Sequence, residues 1–336
     1  MTAFSVLDLV PVREGGTVTQ ALEAATALAQ GAEAAGCKRY WVAEHHAMDG
    51  IAGGATAVVL AHVGNATKTI RIGSGGIMLP NHTPFQIAEQ FGTLDALFPG
   101  RVDLGLGRAP GAGPEWQRAL RKDLHRAAEM FPHDVVELQA LFAGEGAIRP
   151  TPGRGAAPQM WILGSSLFGA QLAARLGLPY AFASHFAPDH LDAAIMLYRR
   201  HFVASEVCEK PHVMAAMNLF CAATHKEAQV LATSQMQAFV ALRTGTPGKL
   251  PPPVPGYRET LPGPARAMLD HIGQASAIGT PAECAAAVHA FVQRTRADEI
   301  IFAGPTFEPD ARMKSLALAL PALHDLADEA GQQRRA

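Results

Sequence analysis

Three groups of residues in this 336-residue chain have types and spacings that suit chemistry. The first is Leu163-Gly164-Ser165-Ser166, which runs into an alanine-rich segment containing Gly169. Small hydroxyl residues opening a helix leave amides with partial positive charge at its start, which is a ready phosphate site. The plainer reading is that Ser165 or Ser166 caps its own helix. The second is Arg108, which follows Gly105-Leu106-Gly107 at the end of an apolar run. A guanidinium delivered among glycines suits a phosphate better than a surface ion pair, and Arg118 or Arg121 can add a second positive contact. The third is Glu44-His45-His46. Successive residues of an extended chain point to opposite sides, so the two histidines do not easily share one ion. With no clear third ligand, no metal is expected. A single histidine acting as acid, base or hydrogen-bond donor is the sharper reading, and a satisfied structural histidine the plain one. His185 is a further candidate. Asp8 sits within an apolar strand, where an arginine partner would make it structural.

These residues need elements that carry them to one place. Residues 70–111 show the repeating unit: an apolar run, a helix, and a second apolar run. Thr83 suits the helix cap and Pro84 its first position, and Phe98-Pro99-Gly100 stops it. Strand, helix and strand in that order imply parallel strands. The same alternation recurs. Strands are predicted at 4–12, 39–46, 159–164, 180–186, 212–222 and 299–304, besides the two flanking this helix. Thr17 and Gln20 are spaced as a capping box for the first helix, and Gly36 as its stop. Residues 109–126 read as a connection, with a helix from about 133 to 143. Residues 245–264 hold many prolines and glycines and suit a lid, followed by a short extra helix at 265–276. Eight strands alternating with helices predict an α/β protein, a single (β/α)8 TIM barrel with insertions over residues 1–336, with a lid insertion at 245–276. A doubly wound sheet fits less well, because no early phosphate fingerprint appears. In a barrel, the candidates above fall at the C-terminal ends of the strands, where such sites lie.

Composition sets the remaining bounds. The formal charge is −2 with no basic run, so nucleic acid and anionic membrane are not expected partners. The four cysteines are widely separated, which argues against a disulfide scaffold and fits a reducing cytoplasm. The first residues have no basic leader and read as a strand, so no signal peptide is expected.

Longer runs carry a resemblance. YWVAEHHAMDG, IRIGSGGIMLPNHTPFQIAEQFGTLDALFPGRVDLGLGRAPG, WILGSSLFGAQLAARLGLPYAFASHF, IGTPAEC and DEIIFAGPTFEPDARMKSLALA follow one another in the chain. Together they resemble the bacterial luciferase-like flavin monooxygenases over nearly the whole length. The resemblance implies a barrel that binds FMN, reduced by a separate flavin reductase. It implies a phosphate site at Arg108, Ser165 and Ser166, and a flavin-ring bulge in the third strand at Gly75-Gly76, often with a non-proline cis peptide. It implies an active-site histidine at His45. Gly107 stands where light-emitting members carry a reactive cysteine, which puts luminescence in doubt. Gly169 stands where they carry a threonine, leaving its amide as donor. The function expected is oxidation of a small organic substrate by reduced FMN and O2, in a homodimer. A deazaflavin-dependent hydride-transfer enzyme and a flavin-binding protein without turnover are the alternatives.

Overall fold

The computed structural model describes residues 2–109 and 114–333. The chain opens with β1 (Ala3–Asp8), α1 (Val18–Ala34), β2 (Arg39–Val42) and α2 (Thr56–Ala66). Next come β3 (Arg71–Met78), α3 (Pro84–Leu97) and β4 (Val102–Gly107). Two helices, α4 (Pro114–Leu120) and α5 (Leu124–Ala143), precede β5 (Gln159–Gly164), α6 (Leu167–Leu176), β6 (Tyr180–Phe182) and α7 (Leu191–His201). After β7 (Val213–Cys221) come α8 (His225–Arg243), α9 (Tyr257–Thr260), α10 (Gly263–Gly273) and β8 (Ser276–Gly279). The chain ends with α11 (Pro281–Thr295), β9 (Glu299–Ala303) and α12 (Pro309–Gln333).

All pairings between these strands are parallel, as the crossover helices require. β1 pairs with β2 and β9, and β7 with β6 and β9, so eight strands close into a (β/α)8 TIM barrel. β8 is a ninth strand alongside the C-terminal half of β7, from Asn218↔Ser276 to Cys221↔Gly279. Alternation along each strand separates two cores. Val6, Tyr40, Val42, Ile72, Leu104 and Ile162 face the helices. Leu7, Trp41, Trp161, Met214 and Ile301 fill the barrel axis, where Trp41 and Trp161 meet edge to face with centroids 5.3 Å apart.

The helix starts follow their local signals. Thr17 and Gln20 form the capping box of α1, and Thr83 accepts from the Gln86 amide with Pro84 at the first turn of α3. Several expectations need correction. The first two strands end at Asp8 and Val42, short of the expected 12 and 46, so Glu44-His45-His46 lie in the loop past β2. The expected connection at 109–126 contains α4 and the start of α5, which extends past Pro132; residues 110–113 lie outside the described residues. Pro132 hid the first half of that helix. The sixth strand stops at Phe182, because the chain turns there and the Ser184 hydroxyl donates to the Ala216 carbonyl at 2.6 Å. The extra helix ends at Gly273, and Ser276–Gly279 is a strand too short to show a period. Residues 245–256 are irregular as expected, yet they are pinned. Leu250 and Val12 bond through their backbones (2.9 Å), and Val254 N donates to Thr233 Oγ1 (2.9 Å). Among the described residues, no helix is long and apolar enough to cross a membrane.

Candidate active site

Past the C-terminal end of β5, Ser166 stands in extended backbone (φ −140°, ψ 165°) as the N-cap of α6. Its side chain makes no capping hydrogen bond, so the hydroxyl and the first amides of α6 remain available to an anion. Ser165 is the residue before it, and Gly169 is buried in the second half of the first turn. A Cβ at Gly169 would lie 3.4 Å from the Tyr180 ring. Arg108, just beyond β4, reaches over the same helix start, with its guanidinium carbon 4.1 Å from the centroid of the Phe168 ring. Among the described residues it has no carboxylate partner. The structure thus brings Arg108, Ser165, Ser166 and Gly169 together. Arg118 instead pairs with Glu115 at 3.8 Å, both side chains largely exposed.

One strand pair away, the regular ladder between β3 and β4 slips between Ser74 and Ile77, and the Gly75-Gly76 peptide is cis. Side chains do not fit here: a Cβ on Gly75 would come 2.5 Å from Leu7 Cδ1, and one on Gly76 2.8 Å from the Gly105 carbonyl oxygen. Both glycines are half-buried, and the close approach of Leu7, Trp41 and the Gly105 backbone is what demands glycine at this bulge.

At the end of β2 the three polar residues part company. Glu44 is buried and accepts from His46 Nε2, from His82 Nε2 (2.6 Å) and from the Met78 amide (3.0 Å). Burial pushes the Glu44 carboxyl up, but these hydrogen bonds outweigh it and bring it down to about 2. His46 also stacks on Trp116 of α4, with centroids 4.6 Å apart. His46 is therefore held by Glu44 and Trp116. His45 is half-buried and has no side-chain hydrogen bond among the described residues. Burial holds its ring below the usual imidazole range, with Glu44 opposing and His46 adding to the shift. His185, just past β6, has its Nδ1 sealed from solvent without a partner. Burial, together with the nearby His45, pushes its ring down to about 4. Two imidazoles whose proton affinity burial lowers thus occupy the mouth.

Asp8 is satisfied by Tyr40 Oη (2.6 Å), Arg312 (2.7 Å) and the Val10 amide (3.1 Å), and is structural. His82 was absent from the sequence candidates. It lies in the loop between β3 and α3, directly before the Thr83 cap, and every such loop opens on the mouth. It supplies the third ligand-type side chain that the sequence did not reveal beside Glu44 and His46.

A sequence model of the luciferase-like monooxygenase family matches residues 2–299. A luciferase-like monooxygenase of Escherichia coli (strain K12) is 45% identical over 327 residues, covering 96% of this chain and 98% of that protein. The N-acetyl-S-alkylcysteine monooxygenase of Bacillus subtilis (strain 168) is 35% identical over 254 residues, covering 73% and 75%. The crystal structure of apo-MsnO8 superimposes with a TM-score of 0.90 at 30% identity, covering 96% of this chain and 99% of that one. Two more distant solved structures share the fold. One is the oxygenating constituent of 3,6-diketocamphane monooxygenase in complex with FMN (TM-score 0.72, 18% identity). The other is an F420-dependent secondary alcohol dehydrogenase (TM-score 0.70, 16% identity). With the family match spanning most of the chain and the mouth arranged as above, this protein is an enzyme of the luciferase-like monooxygenase family.

Proposed function

We propose that this enzyme is an FMN-dependent monooxygenase that receives reduced FMN from a separate flavin reductase and uses O2 to oxidise a small organic substrate. The observation that carries this reading is the uncapped start of α6 beside Arg108. A dianionic phosphate suits that place, because it meets unbonded amides, a free hydroxyl and an unmatched guanidinium at once. The half-buried backbone at Gly75-Gly76, which carries no side chain, is the candidate seat for the flat ring system. An FMN complex on the same fold in an oxygenating constituent supports both the cofactor and the two-component arrangement.

Reduced FMN supplies the reaction with O2; the protein supplies binding, orientation and exclusion of water. Arg108, Ser165, Ser166 and the Gly169 amide hold the phosphate. Gly75 and Gly76 seat the ring. His45, whose proton affinity burial lowers, is the proton-handling group of the mouth, and in its neutral form gives a hydrogen bond from one ring nitrogen and accepts at the other. Residues 245–276 close the mouth over flavin and substrate.

The test uses FMN affinity, measured anaerobically with reduced FMN, and product formation across a panel of small organic compounds supplied with a flavin reductase. Thioethers belong in the panel because a 35% identical relative is an N-acetyl-S-alkylcysteine monooxygenase. His45→Ala should keep FMN affinity and lose about 10²–10⁴-fold in product formation. Full turnover in that variant, or a loss explained by unfolding, removes His45 from the chemistry. Binding of a deazaflavin in preference to FMN points to hydride transfer instead, and tight FMN binding without any oxygen reaction points to a storage protein.

A further inference from the structure

The segment that carries His45 lacks the support of the ladder. β2 leaves its pairing with β3 at Val42↔Ser74, and the Ala43 amide still donates to the Asp8 carbonyl at 2.9 Å. Beyond that, residues 44–47 make no backbone–backbone hydrogen bond among the described residues, and Ala47 takes a positive φ of 53°. A catalytic side chain on such a stretch would wander unless something else ordered it. The only dense set of bonds there belongs to Glu44, whose side chain is 1% exposed. One carboxylate oxygen takes the Met78 amide at the end of β3, and the other takes His82 and His46. His82 belongs to the β3–α3 loop, which Lys122 braces by donating to the carbonyls of Pro80 (3.2 Å) and His82. His46 carries the link outward through its stack on Trp116.

We infer that Glu44 is the positioning residue of this mouth: its carboxylate ties the end of β2 to the end of β3 and the loop beyond, and so fixes His45 beside the Gly75-Gly76 step. This rests on the role of His45 proposed above. The same three side chains have ligand atoms within 4.8 Å of one another, so a metal ion is the competing occupant. The geometry favours direct hydrogen bonds. Ligand atoms bound tetrahedrally to zinc at about 2.0–2.2 Å stand about 3.3–3.6 Å apart. His82 Nε2 and Glu44 Oε1 stand 2.6 Å apart, the length of a charge-assisted hydrogen bond. A carboxylate that already holds three donors also has no need of an ion.

A double-mutant cycle separates positioning from plain structural support. Glu44→Gln keeps the shape but cannot hold both imidazoles as an anion does, and product formation should fall about a hundredfold, the scale of an ångström of misplacement. In a His45→Ala background the same change should cost almost nothing further, because the group it positions is gone. Glu44→Asp, which keeps the charge, should recover part of the activity, and it replaces Glu44→Gln should that variant fail to fold. Histidine ring NMR on the flavin-free protein gives a readout that needs no turnover: in Glu44→Gln the His45 resonances should shift along with those of His46 and His82. The inference is overturned by losses that multiply in the double variant, or by unmoved His45 resonances in a folded Glu44 variant. It is also overturned by stoichiometric zinc binding to the wild-type protein that His82→Ala abolishes. If His45→Ala alone keeps full turnover, the catalytic reading of His45 is what fails, and the resonances still decide whether Glu44 positions the ring.

Discussion

At the floor of the barrel, where β2, β3, β4 and β9 begin, Arg39 is 1% exposed and fully engaged. It donates to Glu299 at 2.7 and 3.1 Å and to Asp103 at 2.6 Å, and lies 4.8 Å over the Trp161 ring. Asp103 in turn takes Arg71 and the Trp41 indole N–H (2.9 Å), and Glu299 takes the Ser5 hydroxyl. At the opposite end, among the described residues, Arg108 has no carboxylate partner, Ser166 leaves its helix uncapped, and His185 Nδ1 has no partner. Both ends are built from arginine, carboxylate, serine and aromatic rings. What separates them is whether the charges are matched: the floor pairs Arg39 and Arg71 with Asp103 and Glu299, although Trp161 Nε1 and His212 Nε2 stay unbonded there, whereas Arg108 faces no carboxylate among the described residues. A buried polar group left unmatched costs free energy, so it persists where a ligand completes it. Glu44 is the mouth's exception: it is as satisfied as the floor, which is why it reads as support for the site and not as a contact to the ligand.

The largest effect should come from breaking the floor. Arg39→Met leaves Glu299 and Asp103 buried without their cation, a loss of about 3–5 kcal/mol by chemical denaturation. Flavin affinity should be affected only through unfolding. If the variant is as stable as wild type, the floor is not the structural end and the contrast collapses.

Acid offers a second way to open the same network. Burial pushes Glu299 up, but His212, the Arg39 charge and the Ser5 hydroxyl outweigh it and hold the carboxyl down to about 2 against an ordinary 4.5. A depressed carboxylate contributes stability that is fully present above its unfolded value and disappears as pH falls through the folded one. The window is therefore about pH 4.5 to 2, and the contribution lost is about 3 kcal/mol. Glu299→Gln should flatten that part of the stability–pH curve. An unchanged slope would falsify the assignment of acid sensitivity to the floor.

At the mouth the effects should fall on ligand binding and leave stability alone. Arg108→Ala removes a charge-assisted contact worth about 1.5–3 kcal/mol, so FMN affinity should drop about ten- to a hundredfold with the melting temperature nearly unchanged. A change below about threefold means that Arg108 is no phosphate ligand.

This contrast was half legible in the sequence. The mouth residues announced themselves locally, because glycines, a lone arginine and paired serines sit at the ends of apolar runs, where strand direction alone fixes their place. The barrel was legible for the same reason, as each strand and helix carries its own period and caps. The floor network was not, since Arg39, Asp103 and Glu299 are 64 to 260 residues apart and meet only after closure. His82 escaped similarly: its link to Glu44 runs across two strands, over 38 residues. Helix α5 was half missed because Pro132 reads as a breaker although the chain carries it within the helix.

The smallest effect discriminates most finely, because it sets two helix starts of the same molecule against each other. Thr224 caps α8 in full: its hydroxyl accepts from the Glu227 amide, and the Glu227 side chain bonds back to the Thr224 amide. Ser166 holds the same position on α6 and makes no such bond. Thr224→Ala should therefore cost about 1 kcal/mol of stability and leave FMN affinity as it was. Ser166→Ala should do the reverse. Its stability should change by less than about 0.5 kcal/mol, the range of a substitution that removes no contact. FMN affinity should weaken about two- to tenfold, the worth of one hydroxyl hydrogen bond. Chemical denaturation and flavin titration on both variants give all four numbers. Should Ser166→Ala destabilise the protein as much as Thr224→Ala and bind FMN unchanged, the serine is an ordinary cap, and the phosphate site at α6 loses its hydroxyl.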